Sequence, residues 1–152
     1  MAVSRSTPVG TMLENGYQSF VAFAEDPDVS FWEKTVQPLG LDGGEKIDIT
    51  TMHNTTIKTY AAQALPGCTD ATVTAAFDPQ VLTQALALIN VNGEVSNIFP
   101  DTSTWTSFGF LKSFVPDAMS NGAQPEASCT VVYTNVNASG AETAPVYAAG
   151  SP

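Results

Sequence analysis

The residue types that most often do chemistry are sparse and widely spaced in this chain. Its single histidine, His53, lies in the polar run TTMHNTT. A catalytic histidine needs a nucleophile or acid partner and a group that orients its ring. The nearby acids are Asp48 and Asp70, neither in a recognisable motif, and no G-x-S-x-G occurs. His53 therefore reads as a loop histidine that packs or hydrogen-bonds locally. Glu25, Asp26 and Asp28 cluster, but without the spacing or terminal glutamate of a calcium loop, and they read as a solvated turn. Cys68 and Cys129 form no C-x-x-C, and one histidine cannot complete a Cys/His zinc set, so both read as free, partly buried thiols. Asp42-Gly43-Gly44 is a turn rather than a phosphate loop, because no helix follows it. The scattered acids would suit glycoside hydrolysis only if a cleft paired them. No catalytic, cofactor-binding or metal-binding residue is assigned.

The elements that would carry any site come from composition and periodicity. The chain has 152 residues, which fits one domain. Charged residues make up only 13%, about half the usual share of roughly 25%. Such a surface is either covered by neighbours or rich in Thr, Ser and Ala on an ordinary monomer. The formal net charge is −10, and the five basic residues Arg5, Lys34, Lys46, Lys58 and Lys112 stand singly. The pattern argues against tight nucleic-acid binding, which needs clustered Lys and Arg, and against attraction to an anionic membrane. No signal peptide or apolar membrane-length run is visible, which points to a cytoplasmic origin.

Residues 1–16 read as a flexible N-terminal arm. YQSFVAFA from Tyr17 to Ala24 predicts a strand, and in VSFWEKTVQP the adjacent Phe31 and Trp32 would face opposite sides, both covered. EKIDITT alternates, with Asp48 opposite Ile47 and Ile49. Residues 52–69 show no sustained period, the mark of a long functional loop. DATVTAAF alternates, with Asp70, Thr72 and Thr74 on one side. Asp78 as N-cap and Pro79 in the first turn predict a helix over 79–90, with an apolar stripe of Val81, Leu82, Ala85, Leu86 and Ile89. GEVSNIFP, TWTSFGFLKSFVP and EASCTVVYTN complete the strands. Phe108, Phe110 and Phe114 share one parity, Gly109 marks a candidate bulge, and Glu126, Ser128 and Thr130 share a polar side. Residues 136–152 read as a flexible C-terminal tail. The fold class expected is mainly β: an antiparallel β-sandwich or barrel with one flanking α-helix.

Three segments together resemble the major tail tube protein of long-tailed, siphovirus-like bacteriophages: FAEDPDVSFWEKTVQPLGLDGGEKIDITTMHNTT, DATVTAAFDPQVLTQALALIN and FGFLKSFVPDAMSNGAQPEASCTVVYTN. The resemblance covers Phe23 to Asn135, most of the chain, and implies a tail tube β domain over 17–135. It implies a structural, non-enzymatic virion subunit without cofactors, assembled in the host cytoplasm. Stacked hexameric rings would share a β-barrel around a channel for DNA in transit without tight binding. Partners would be other copies, a tape measure protein and tail terminator or tip proteins, with no membrane insertion. The 52–69 loop would reach the adjacent ring, giving His53, Asn54, Thr55, Thr56, Lys58, Tyr60 and Gln63 an inter-ring role. By alternation, Asp48, Asp70, Thr72, Thr74, Glu126, Ser128 and Thr130 become lumen-facing candidates, making the wall polar or acidic. Lys46 and Lys112 depart from that pattern and would suit subunit contacts. The rival readings are an inner tube of a contractile or secretion-type system, and a β-sandwich module for carbohydrate or cell-surface binding with an aromatic platform.

Overall fold

The computed structural model describes residues 19–150. The predicted arm over 1–16 lies outside the described residues. Within them the chain is mainly β with one short helix. The strands are β1 (Phe20–Phe23), β2 (Trp32–Gln37), β3 (Leu41–Asp42), β4 (Ile47–Asp48), β5 (Tyr60–Ala61), β6 (Gly67–Cys68), β7 (Ala71–Ala76), β8 (Gly93–Ile98), β9 (Thr104–Pro116), β10 (Glu126–Tyr133) and β11 (Val146–Ala148). A seven-stranded antiparallel sheet runs β1-β8-β9-β10-β7-β2, with β11 also on β9. It curls into a half-barrel, and one of its faces is the core.

Alternation places the core. On β7, Ala71, Val73 and Ala75 are buried, and on β10, Ala127, Cys129, Val131 and Tyr133 are. Phe31 stacks on Phe114 with ring centroids 5.8 Å apart and meets Phe23 edge-on at 6.2 Å. This trio ties β1 and the approach to β2 onto β9, drawing the two ends of the sheet toward each other. At the seam the Glu33 carboxylate accepts the Val21 backbone N–H, and partial burial pushes its pKa up. Trp32 differs from the expectation of two covered sides. It is 68% exposed, while only Phe31 is buried.

Two bulges shift the alternation. Lys34 is the extra residue between Glu33 and Thr35 on β2, and Lys112 is the extra residue between Leu111 and Ser113 on β9. The second bulge separates the three phenylalanines that share a parity in sequence. Phe114 joins Leu111 in the core, while Phe108 and Phe110 lie on the other face. Gly109 is not that bulge. It is needed because an added Cβ would lie 2.4 Å from the Val132 carbonyl oxygen, where strands cross closely.

Asp78 caps the helical segment by accepting the Gln80 N–H at 2.9 Å, with Pro79 following it. Pro79–Val81 is a 3-10 turn, and α1 runs only Leu82–Leu88. The tighter first turn advances the phase, so Ala85 and Leu88 are buried and Leu86 is exposed. Ile89 is extended and bridges Leu111, so the helix stops short of residue 90. The C-terminal segment makes two pairings. Val136 bridges Glu142, and β11 pairs with Thr104–Thr106 of β9.

Candidate assembly surfaces

Three features remain unused by the core: a polar sheet face, two open sheet edges and a projecting arm. The face belongs to β2, β7, β10 and the distal half of β9. In register across it run Gln37, Thr72, Thr130 and Ser113, and beside them Thr35, Thr74, Ser128 and Val115. The opposite side of the same strands is the buried core, so these hydroxyls point away from it. Glu126 shares the parity of Ser128 and Thr130, and its carboxylate pairs with the Lys34 ammonium across β7. Asp70 precedes β7 on the exposed side. The structure thus brings Asp70, Thr72, Thr74, Glu126, Ser128 and Thr130 together. Asp48 is not with them. It lies on β4, outside the main sheet, where its exposed carboxylate accepts the Thr50 N–H at 2.9 Å and hydrogen bonds from Thr50 hold its pKa low.

Among the described residues, the same four strands are open on both sides. There β2 pairs only with β7, and a groove of about 1150 Å³ runs along it toward β1. Beyond Gly109, β9 loses β8 as a partner, and on that side, among the described residues, only Leu111 is met, by the Ile89 bridge and the Asn90 N–H. Open edges of this kind recruit further strands unless they are protected.

The segment between β2 and β7, which includes the period-free residues 52–69, carries ladders of its own. It folds back as a long hairpin: the Thr69 N–H on the Gly40 carbonyl at 2.8 Å, then β3 with β6, then β4 with β5, then the Ile49 N–H on the Thr59 carbonyl at 3.1 Å. Each ladder is only two residues long, too short to leave a period in sequence. Gln63 braces the stem by donating to the Glu45 carbonyl at 3.0 Å, and the Lys46 ammonium sits 3.8 Å over the Tyr60 ring. Asn54 organises the tip. Its Oδ1 accepts the Thr51 N–H at 2.9 Å and its Nδ2 donates to the Ile57 carbonyl at 3.0 Å. His53, Thr55, Thr56 and Lys58 are exposed there, and the His53 N–H donates to Thr51 Oγ1. No group of three or more His, Cys, Asp or Glu among the described residues gathers as metal ligands.

Hydrophobic exposure is what the sequence reading of this arm missed. Met52 is 102% exposed, Leu65 82% and Ile57 76%, and Leu41, Ile47, Ile49 and Tyr60 are exposed along the stem. Many large apolar side chains on one protruding element mark a contact surface.

No protein-family description matches the sequence, and no curated protein matches it. Solved structures do match the fold. A chain of the virion of a native gene transfer agent particle superposes with a TM-score of 0.66 at 13% identity, covering 89% of this chain and 98% of that one. The fold is shared with phage-like tail particles. A chain from the tail of an empty gene transfer agent particle, refined with helical and C6 symmetry, gives 0.62 at 11% identity over 89% and 98% of the two chains. One from the six-fold symmetrised baseplate of the anti-feeding prophage gives 0.55 at 11% identity over 86% and 91%. At these identities the likeness is one of fold.

Proposed function

We propose that this chain is the structural subunit of a phage-type tail tube. Copies join into hexameric rings, the rings stack, and the hydroxyl-bearing face of β2, β7, β10 and distal β9 lines a channel through which DNA passes. The observation that carries this reading is the four-stranded unit itself. It is covered on one side by the core, clothed largely in Thr and Ser on the other, and unpaired at both edges among the described residues. Lateral closure places the distal edge of β9 from one copy along β2 of the next, a head-to-tail contact that closes into a ring. The arm over 41–68 then seats its apolar side chains on the adjacent ring. Tape measure and terminator or tip proteins are partners of the finished tube, and the subunit performs no turnover. The fold shared with chains of a C6-symmetric tail supports the ring number.

The channel mechanism follows from the wall. Hydroxyls offer phosphates no fixed charge, and the acidic surplus repels them over about a Debye length, ~8 Å at physiological salt. DNA slides because the wall offers few cations to hold it. The test is electron microscopy of the concentrated protein, which should show rings or tubes with an open bore. A strict monomer at every concentration overturns the reading and favours a carbohydrate-binding module. Against that rival, the exposed aromatics sit on separate elements, Trp32 on β2, Tyr60 on the arm and Tyr147 on β11.

A further inference from the structure

We infer that Glu126 masks Lys34 on the polar face, so that a lysine present in the channel wall does not bind DNA phosphates. The inference rests on the tube reading above. Lys34 is the extra residue of the β2 bulge, so its side chain adds to the row formed by Thr35, Thr74 and Ser128. Its ammonium spans β7 to reach the Glu126 carboxylate on β10, two positions from Ser128 on the same face. This is the only salt bridge among the described residues. The two side chains are 40% and 35% exposed, a setting in which an ion pair adds little to fold stability. What the pair does change is the wall. An ammonium facing a phosphate chain is the contact that makes nucleic-acid binding strong and salt-dependent. Held by a carboxylate of its own subunit, Lys34 presents no net charge there. Unmasked, it would recur in every subunit of every ring, turning a smooth wall into a ladder of cationic stops.

The experiment uses assembled tubes and a short fluorescent DNA duplex, scored by co-sedimentation at low salt. Wild-type tubes should carry little duplex. Glu126→Gln tubes should carry about ten-fold more, and the excess should vanish with salt at a slope of roughly 0.9 per phosphate engaged. Lys34→Gln with Glu126→Gln should return to the wild-type level. Glu94→Gln, an exposed change of equal charge on β8, should also stay there. Lys112, exposed in the β9 bulge, is common to all variants and sets the baseline. Glu126→Thr, which extends the hydroxyl row, is the second unmasking variant. Binding by Glu126→Gln no greater than by Glu94→Gln, or loss of assembly in both Glu126 variants, overturns the masking role while leaving the tube intact. Failure of the wild-type chain to form tubes refutes the tube reading instead.

Discussion

Changing Met52 and Ile57 to serine separates assembly from folding, because the structure gives these side chains almost nothing to do within the subunit. They are 102% and 76% exposed at the tip of the arm. Fully burying a Met or Ile side chain contributes ~1.5–3 kcal/mol. If the arm seats both on the adjacent ring, the double change removes on the order of 3–6 kcal/mol per subunit. At ~1.4 kcal/mol per factor of ten, that raises the critical concentration for tube growth by about two to four orders of magnitude. The subunit itself should lose little, since surface changes of this kind stay within about 0.5 kcal/mol. Light scattering across a concentration series measures the first quantity, and thermal melting of the dilute subunit measures the second. Tubes growing at the wild-type concentration would take the arm tip out of the contact. A fall in Tm of more than about 4 °C would refute the premise that these side chains have no partners in the subunit.

Glu33→Gln should raise Tm at pH 7. Burial lifts the Glu33 carboxyl above its ordinary 4.5, so the folded state holds that proton more tightly than the unfolded chain, and its contribution falls as pH rises through the lifted value. The advantage of the variant should therefore shrink toward pH 4.5, and a gap that is constant or widens on acidification would contradict the burial argument. Of the two thiols, only Cys68 should react with a maleimide in the native protein at pH 8, because Cys129 is buried with its pKa pushed up to about 12. Mass spectrometry showing label on Cys129 before unfolding would refute this. Gly109→Ala should prevent folding or lower Tm sharply by circular dichroism, because its Cβ would collide with the backbone at Val132 and Tyr133.

How much was legible depended on how far each signal reaches along the chain. The helix start needs two residues, Asp78 and Pro79, and both act locally. The alternation of β7 and β10 is unbroken, so Thr72, Thr74, Ser128 and Thr130 could be placed on one face from sequence alone. Their companions Thr35, Gln37 and Ser113 could not. They follow the bulges at Lys34 and Lys112, and a single inserted residue reverses every parity beyond it. Nothing in FLKSF or WEKTV marks the insertion, because a bulge is specified by the partner strand's register rather than by the bulged residue. The same dependence explains Asp48, whose alternation was read correctly but whose ladder belongs to the arm. It also explains β11, whose VYA sequence finds its pairing only because Thr104–Thr106 has a free side. The two bulged lysines fall on β2 and distal β9, two of the strands that have an unpaired side among the described residues, and charge with local twist is how exposed edges resist indiscriminate pairing. Two of the positions that sequence periodicity misreads therefore lie on edges where another strand has room to join. Periodicity reports what a strand does inside its own sheet, whereas an edge is shaped by what must be kept away until the right neighbour arrives.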